Sequence, residues 1–384
     1  MVDFGDRVGC SGGMKFFLVL AILFGLGSAQ AQNGQVADAP VKIRWLEREF
    51  MMPAPGAPSG LDVMQVEVER PGKHPLAILT HGTSADSMER ATETPGKFLP
   101  QAIWFARRGF VVLVVIRKGY GRSSGEQDGK HGGCQRQGGG SFTEAGENSA
   151  DDLRAAAKYG ATLPEVDAGM IVSAGVSTGG FAQVALTANP PEGLKAAISF
   201  AGGRGGDGKE HNCDLGGIVS AFKHFGKKSR VPMLWIYSEN DHWFPPDVAR
   251  KFEAAFREGG GVDQFVLVPP YREDGHGYYY NIAGWTPTVE EYLHTQSVPL
   301  EAELLPAPPV PEVTPPAGLN ERGVAAFRNF LIMGPHKAFA TNGTEVWGMA
   351  FGQIDQEVAD KKALENCTKQ LHGPGKCSVV ARTK

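Results

Sequence analysis

Cysteine is scarce, at five in 384 residues. No pair has Cys-x-x-Cys spacing and no histidines stand at a paired ligand spacing, which argues against a structural zinc site. Neither sign of charge dominates. Lysine plus arginine number 38 and aspartate plus glutamate 42, for a net charge of −4. No basic cluster tracks an aromatic stripe, so nothing points to a nucleic-acid partner. The apolar run Phe16 to Leu26 is too short to span a bilayer comfortably. It is followed by Ala29-Gln30-Ala31, a small-x-small cleavage pattern. Residues 1–31 therefore read as a signal peptide, with Met14-Lys15 a better positive start than Met1. The reading predicts export to the periplasm or the medium and no membrane span after cleavage.

The cysteines agree with that compartment. Cys10 would leave with the leader. Four remain, an even number suited to oxidising surroundings. The economical pairing is Cys134–Cys213 and Cys367–Cys377. The first would tie together two glycine-rich loops. The second would close a short loop and contribute about 2–3 kcal/mol to a small domain.

Beyond the leader, residues 32–60 are mixed and loop-like, with a proline-rich turn at Met51 to Ser59. Strands and helices then alternate. Val63 to Val68 alternates apolar and polar and reads as an edge-type strand. Leu76 to Thr80, Phe110 to Ile116, Met170 to Ala174, Ala196 to Phe200, Val231 to Tyr237 and Gln264 to Val268 are short apolar strands. Phe98 to Arg108, Ser149 to Leu163 (with Ser149 as cap), Asp247 to Glu258 and a helix within Gly277 to His294 separate some of them. The pattern predicts an α/β domain over 32–297, a mostly parallel sheet with helices on both faces. The proline-rich stretch 298–317 reads as a stiff, extended linker. A small α+β module follows over 318–384. Its helix places Ala359, Ala363, Cys367 and Leu371 on one face, and Cys367–Cys377 would staple it.

Ligands of such sheets bind at the carboxyl ends of the strands. There the sequence Gly175-Val176-Ser177-Thr178-Gly179 follows a strand and precedes a helix-like run. A sharp strand-to-helix turn pushes the serine outward, and the glycines leave room for it. Gly121-Arg122-Ser123-Ser124-Gly125 matches the same pattern, but a polar, glycine-rich stretch follows, so Ser123 reads as a loop serine. A serine nucleophile needs a base and the base an orienter. Asp241 follows the Met233–Tyr237 strand, and His276 follows the last strand in Asp274-Gly275-His276-Gly277. His81 is the rival base. Its neighbours fit an oxyanion hole better: the N–H of Thr178 and that of Thr83, or alternatively Gly82, would face the developing charge. No metal or organic cofactor is required.

Ser177 in its glycine frame, His81-Gly82-Thr83, Asp241 and His276 resemble the α/β-hydrolase superfamily, and most closely its dienelactone-hydrolase-like group. The stretch Ile116 to Gly125 is similar to that superfamily's loop after its fourth strand. The resemblance covers roughly residues 60–295 and implies a serine hydrolase. Dienelactone hydrolases proper carry a cysteine where Ser177 stands, which weighs against lactone cleavage. Gly179-Gly180 is similar to prolyl-oligopeptidase-like peptidases. Three functions follow as expectations. They are a carboxylic ester hydrolase on small-molecule substrates, a serine peptidase or aminopeptidase with the same machinery, and a binding protein that retains the fold. Trp243, Phe244 and Tyr278 to Tyr280 are candidate pocket residues, and Gly129 to Phe142 a candidate cap.

Overall fold

The computed structural model describes residues 2–4, 44–128, 142–306 and 311–383. The larger unit is an eight-stranded sheet. Its strands are β1 (Arg44–Ala54), β2 (Ala57–Glu69), β3 (His74–Thr80), β4 (Val111–Val115), β5 (Val166–Val176), β6 (Leu194–Phe200), β7 (Met233–Ser238) and β8 (Asp263–Val268), in the order β1-β2-β4-β3-β5-β6-β7-β8. β1–β2 and β2–β4 are antiparallel and the remaining pairs are parallel. This is the mostly parallel sheet that the alternation predicts. The strands from β3 to β7 are apolar almost throughout because both of their faces are covered.

Two apolar layers sandwich the sheet. Helices α3 (Phe142–Gly160), α4 (Thr178–Ala188), α5 (Leu215–Lys228) and α6 (Pro246–Glu258) cover one face, where Phe181, Phe222, Phe225 and Trp235 pack. Helices α2 (Leu99–Ala106) and α7 (Ile282–Thr295) cover the other, around Phe98, Trp104, Phe200 and Trp285. A short helix α1 (Ser87–Ala91) precedes α2. Among the described residues no helix is long and apolar enough to cross a membrane.

Three local readings differ from the structure. Residues 44–60 are not loop-like: β1 and β2 form a hairpin about Pro55-Gly56, with a register shift at Pro53. Proline is tolerated there because β1 is the edge strand and the irregularity removes the need for its missing N–H. β2 is therefore an interior strand and not an edge. Its polar members are buried and partnered, Gln65 by Arg48 at 2.7 Å and Asp62 by Arg122 at 2.6 Å. Ser149 is no cap. It lies inside α3, where its hydroxyl donates to the Ala145 carbonyl and to Asp128.

The smaller unit comprises α8 (Glu321–Ile332), β9 (Lys337–Thr341), β10 (Trp347–Ala350), α9 (Gln356–Thr368) and β11 (Ser378–Thr383). β9 pairs antiparallel with both β10 and β11, and a three-residue strand, Val2–Phe4, lies parallel to β11. Ala359, Ala363 and Cys367 are buried on one face of α9, and Cys367 is bonded to Cys377. Within the proline-rich stretch, residues 298–306 do not hang free. Arg70 pairs with Glu301, Arg107 with Glu303, and Arg107 Nε donates to the Leu305 carbonyl at 2.8 Å. The rest of the expected leader (Met1 and residues 5–31), the Gly129–Ser141 part of the candidate cap, and Cys134 lie outside the described residues. Cys213 is disulfide-bonded, with its partner likewise outside them.

Candidate active site

The serine sits where β5 turns into α4. Ser177 adopts φ +57°, a strained left-handed conformation for a residue with a side chain. The flanking glycines make this turn possible. A β-carbon at Gly175 would lie 2.5 Å from the Gly179 carbonyl oxygen, and one at Gly179 2.3 Å from that of His81. Ser177 is half-buried at the carboxyl edge of the sheet. The Thr178 N–H begins α4 and has no hydrogen-bond partner among the described residues, as expected for a helix N-terminus.

Asp241 and His276 come from two further strand ends and meet. Asp241 is almost fully buried. Its Oδ1 accepts from the N–H groups of Trp243 at 2.8 Å and Phe244 at 2.9 Å, and both carboxylate oxygens lie 3.1 Å from His276 Nδ1. With Nδ1–H directed at Asp241, Nε2 keeps its lone pair for accepting a proton. Asp274 fixes the backbone of this turn by accepting from His276 N at 2.9 Å and His242 N at 3.1 Å. The His276 ring lies between aromatics, 5.4 Å from Trp243 and 5.6 Å from Phe244. Phe244 also packs on Gly203, whose N–H donates to the Ser177 carbonyl at 3.1 Å. Serine and histidine thus converge on one neighbourhood. Among the described residues, no hydrogen bond joins Ser177 Oγ to His276.

The loop after β3 closes against Ser177. A β-carbon on Gly82 would lie 3.0 Å from Ser177 Cβ. The N–H groups of Gly82 and Thr83, like that of Thr178, have no partner among the described residues. The Thr83 hydroxyl lies 2.7 Å from that of Thr178 and 2.7 Å from Tyr120 Oη. His81 is occupied elsewhere: Nδ1 meets the Gly82 carbonyl at 2.6 Å, and Nε2 accepts from Arg117 N at 2.9 Å. Burial, then the Arg117 charge, hold its imidazole well below the ordinary range. His81 is neutral and fully engaged, so it supports the loop.

Beneath this loop lies a buried ionic cluster whose members the sequence did not single out. Arg117 is fully buried. It donates to Thr178 Oγ1 at 3.0 Å, to Thr80 Oγ1 at 3.1 Å, to the His81 carbonyl, and to Asp128 at 3.3 Å. Asp128 also accepts from Arg204 at 3.0 Å, Tyr120 at 3.0 Å and Ser149. Burial works against its charge, but Arg204 and Arg117 outweigh burial and hold the carboxyl below its usual range. Burial and then Asp128 push the Tyr120 phenol up to about 12, so it stays a donor. One guanidinium therefore braces both loops that present the free N–H groups. Arg117 lies in the Ile116–Gly125 stretch, but nothing local marks Asp128 or Arg204 as its partners. Ser123, the second serine in a glycine frame, is buried. It donates to the Ile116 carbonyl at 2.6 Å and accepts from Asp62 N at 2.8 Å.

The sheet order, with a strained serine at the turn from strand to helix, is that of the α/β-hydrolase fold. Residues 59–227, under half of the chain, match the model of the X-Pro dipeptidyl-peptidase (S15) family. No curated protein matches the chain. Among solved structures, an acylaminoacyl peptidase from Pyrococcus horikoshii is similar at 17% identity and a TM-score of 0.47, over 68% of this chain and 43% of its own. A dipeptidyl peptidase 4 from Porphyromonas gingivalis is similar at 19% identity and a TM-score of 0.45, over 66% of this chain and 35% of its own. An esterase from Pyrococcus furiosus is similar at 14% identity and a TM-score of 0.45, over 66% and 93%. The chain thus spans less than half the length of those two peptidases.

Proposed function

We propose that the protein is an exported serine hydrolase that cleaves carboxylic esters of small molecules. The observation that carries this reading is the His276–Asp241 pair beside a strained serine and the unpartnered N–H groups of Gly82, Thr83 and Thr178. In this scheme His276 Nε2 takes the Ser177 proton as Oγ attacks the ester carbonyl carbon. Asp241 stabilises the imidazolium, and the Thr178 and Thr83 N–H groups receive the oxyanion. The imidazolium then protonates the leaving alkoxide. Water, deprotonated by His276, resolves the acyl-enzyme. The serine–histidine hydrogen bond would form as substrate settles, since such contacts are often long in the free enzyme. The leader pattern and the Cys367–Cys377 bond support an oxidising, exported setting.

The family match favours a second reading, removal of an X-Pro dipeptide from a peptide. That activity needs a counter-charge for a free amino terminus. Of the carboxylates near the oxyanion loop, Glu93 is held by Lys97 at 2.9 Å and Asp128 by two arginines, while Asp86 caps α1 and Glu89 accepts from the Ser84 hydroxyl. With Glu93 and Asp128 so held, neither serves a free amino terminus, which favours the ester reading. Turnover of a short p-nitrophenyl ester and of an X-Pro anilide by the purified chain separates the two. Ester turnover lost in Ser177→Ala, with the anilide untouched, is expected. Preference for the anilide would move the protein to the peptidases.

A further inference from the structure

The C-terminal unit touches both elements that frame the site. On one side it meets the segment between α1 and α2, which follows the Thr83 loop. The buried Thr94 hydroxyl donates to the Gly352 carbonyl at 2.6 Å, and Lys362 Nζ donates to Thr92 Oγ1 at 2.9 Å. The backbones are in contact there: a β-carbon at Gly334 would lie 1.9 Å from the Gly96 carbonyl oxygen. On the other side, the Phe351 ring lies 6.2 Å from Tyr280, which itself lies 6.3 Å from Phe98. Tyr280 ends the six-residue 3-10 turn Gly275–Tyr280 that carries His276. Adjacent residues of one loop, Phe351 and Gly352, thus hold the base's turn and the oxyanion side together.

Both held elements need such support. A 3-10 turn has poor hydrogen-bond geometry and depends on packing. Residues 92–94, which carry Thr92 and Thr94, lie in neither helix nor strand. We propose that the docked C-terminal unit is a working part of the active site, with Phe351, Tyr280 and Thr94 as positioning residues that set His276 against the oxyanion loop. The inference rests on the serine-hydrolase reading for its chemistry but not for its geometry.

The test uses the full chain with Gly334→Trp, which cannot dock without separating the two loops, and Phe351→Ala, which removes the Tyr280 ring contact. Small-angle scattering reports release of the unit. Hydrogen exchange of residues 87–98 and 275–280 reports order at the site. Fluorophosphonate labelling of Ser177 reports competence. Gly334→Trp is expected to release the unit, raise exchange in both segments by about tenfold or more, and slow labelling by about tenfold. Phe351→Ala is expected to raise exchange in 275–280 alone, and Phe351→Tyr to restore it. Release of the unit with native exchange in both segments overturns the proposal. If Gly334→Trp fails to fold or stays docked, native exchange at 275–280 in Phe351→Ala overturns it equally. A native chain that does not label counts against the serine-hydrolase reading, while the exchange data still decide the positioning role.

Discussion

At the scale of single residues, the site divides into groups that would react and groups that hold them. Asp241 belongs to both sets, since the same carboxylate accepts from two backbone N–H groups and from His276. Asp241→Asn can keep the backbone bonds through its carbonyl oxygen, but its amide then faces Nδ1 and imposes the wrong tautomer. A fall in kcat of about 10^4-fold is expected, with little change in melting temperature. Steady-state kinetics beside a thermal melt check this. Arg117 holds without reacting. Arg117→Lys offers one compact ammonium where a planar fork now spans Asp128, Thr178 and the His81 carbonyl. It should lower kcat by about ten- to a hundredfold while KM stays close to native. A KM effect alone would place Arg117 outside the oxyanion machinery.

At the scale of elements, β2 shows why alternation misled. Its polar side chains are covered by partners that arrive from β1, from the loop after β4 and from Glu165. Glu67 on this strand is almost fully buried, and burial followed by the Glu165 charge push its carboxyl up to about 7. The folded state therefore holds a proton that the unfolded chain releases near 4.5. Stability from this group is complete below that value and is lost as pH rises toward about 7. Glu67→Gln should remove this part of the slope and stabilise the protein above neutrality. Urea unfolding of both forms from pH 5 to pH 8 measures it, and parallel curves would refute the assignment. In α3, Ser149 satisfies a buried carboxylate instead of capping. Ser149→Ala should cost about 1–3 kcal/mol, read from the same unfolding curves.

At the scale of the whole molecule, two units share one surface, and a strap of ion pairs lays residues 298–306 along the larger one. The Cys367–Cys377 bond joins α9 to the start of β11 across ten residues. Its reduction should destabilise the smaller unit by about 2–3 kcal/mol. Calorimetry with and without reductant should then show an early transition absent from the oxidised protein. A single unchanged transition would mean that docking, not the staple, sets the stability of this unit.

The sequence by itself determined what is local. Apolar runs fixed most of the central strands, and the glycine frame of Ser177 announced a turn that only small neighbours permit. The order of Ser177, Asp241 and His276 along the chain, each just after a strand, pointed to one edge of a parallel sheet. Tertiary structure decided what depends on distant partners. Nothing near Asp128 in sequence names Arg204, nothing near Thr94 names Gly352, and β2 looked half-exposed because its covering arginines lie elsewhere in the chain. Periodicity records which face of an element avoids water. It does not record which buried polar group will meet another, because that meeting is set by the packing of elements across the sheet.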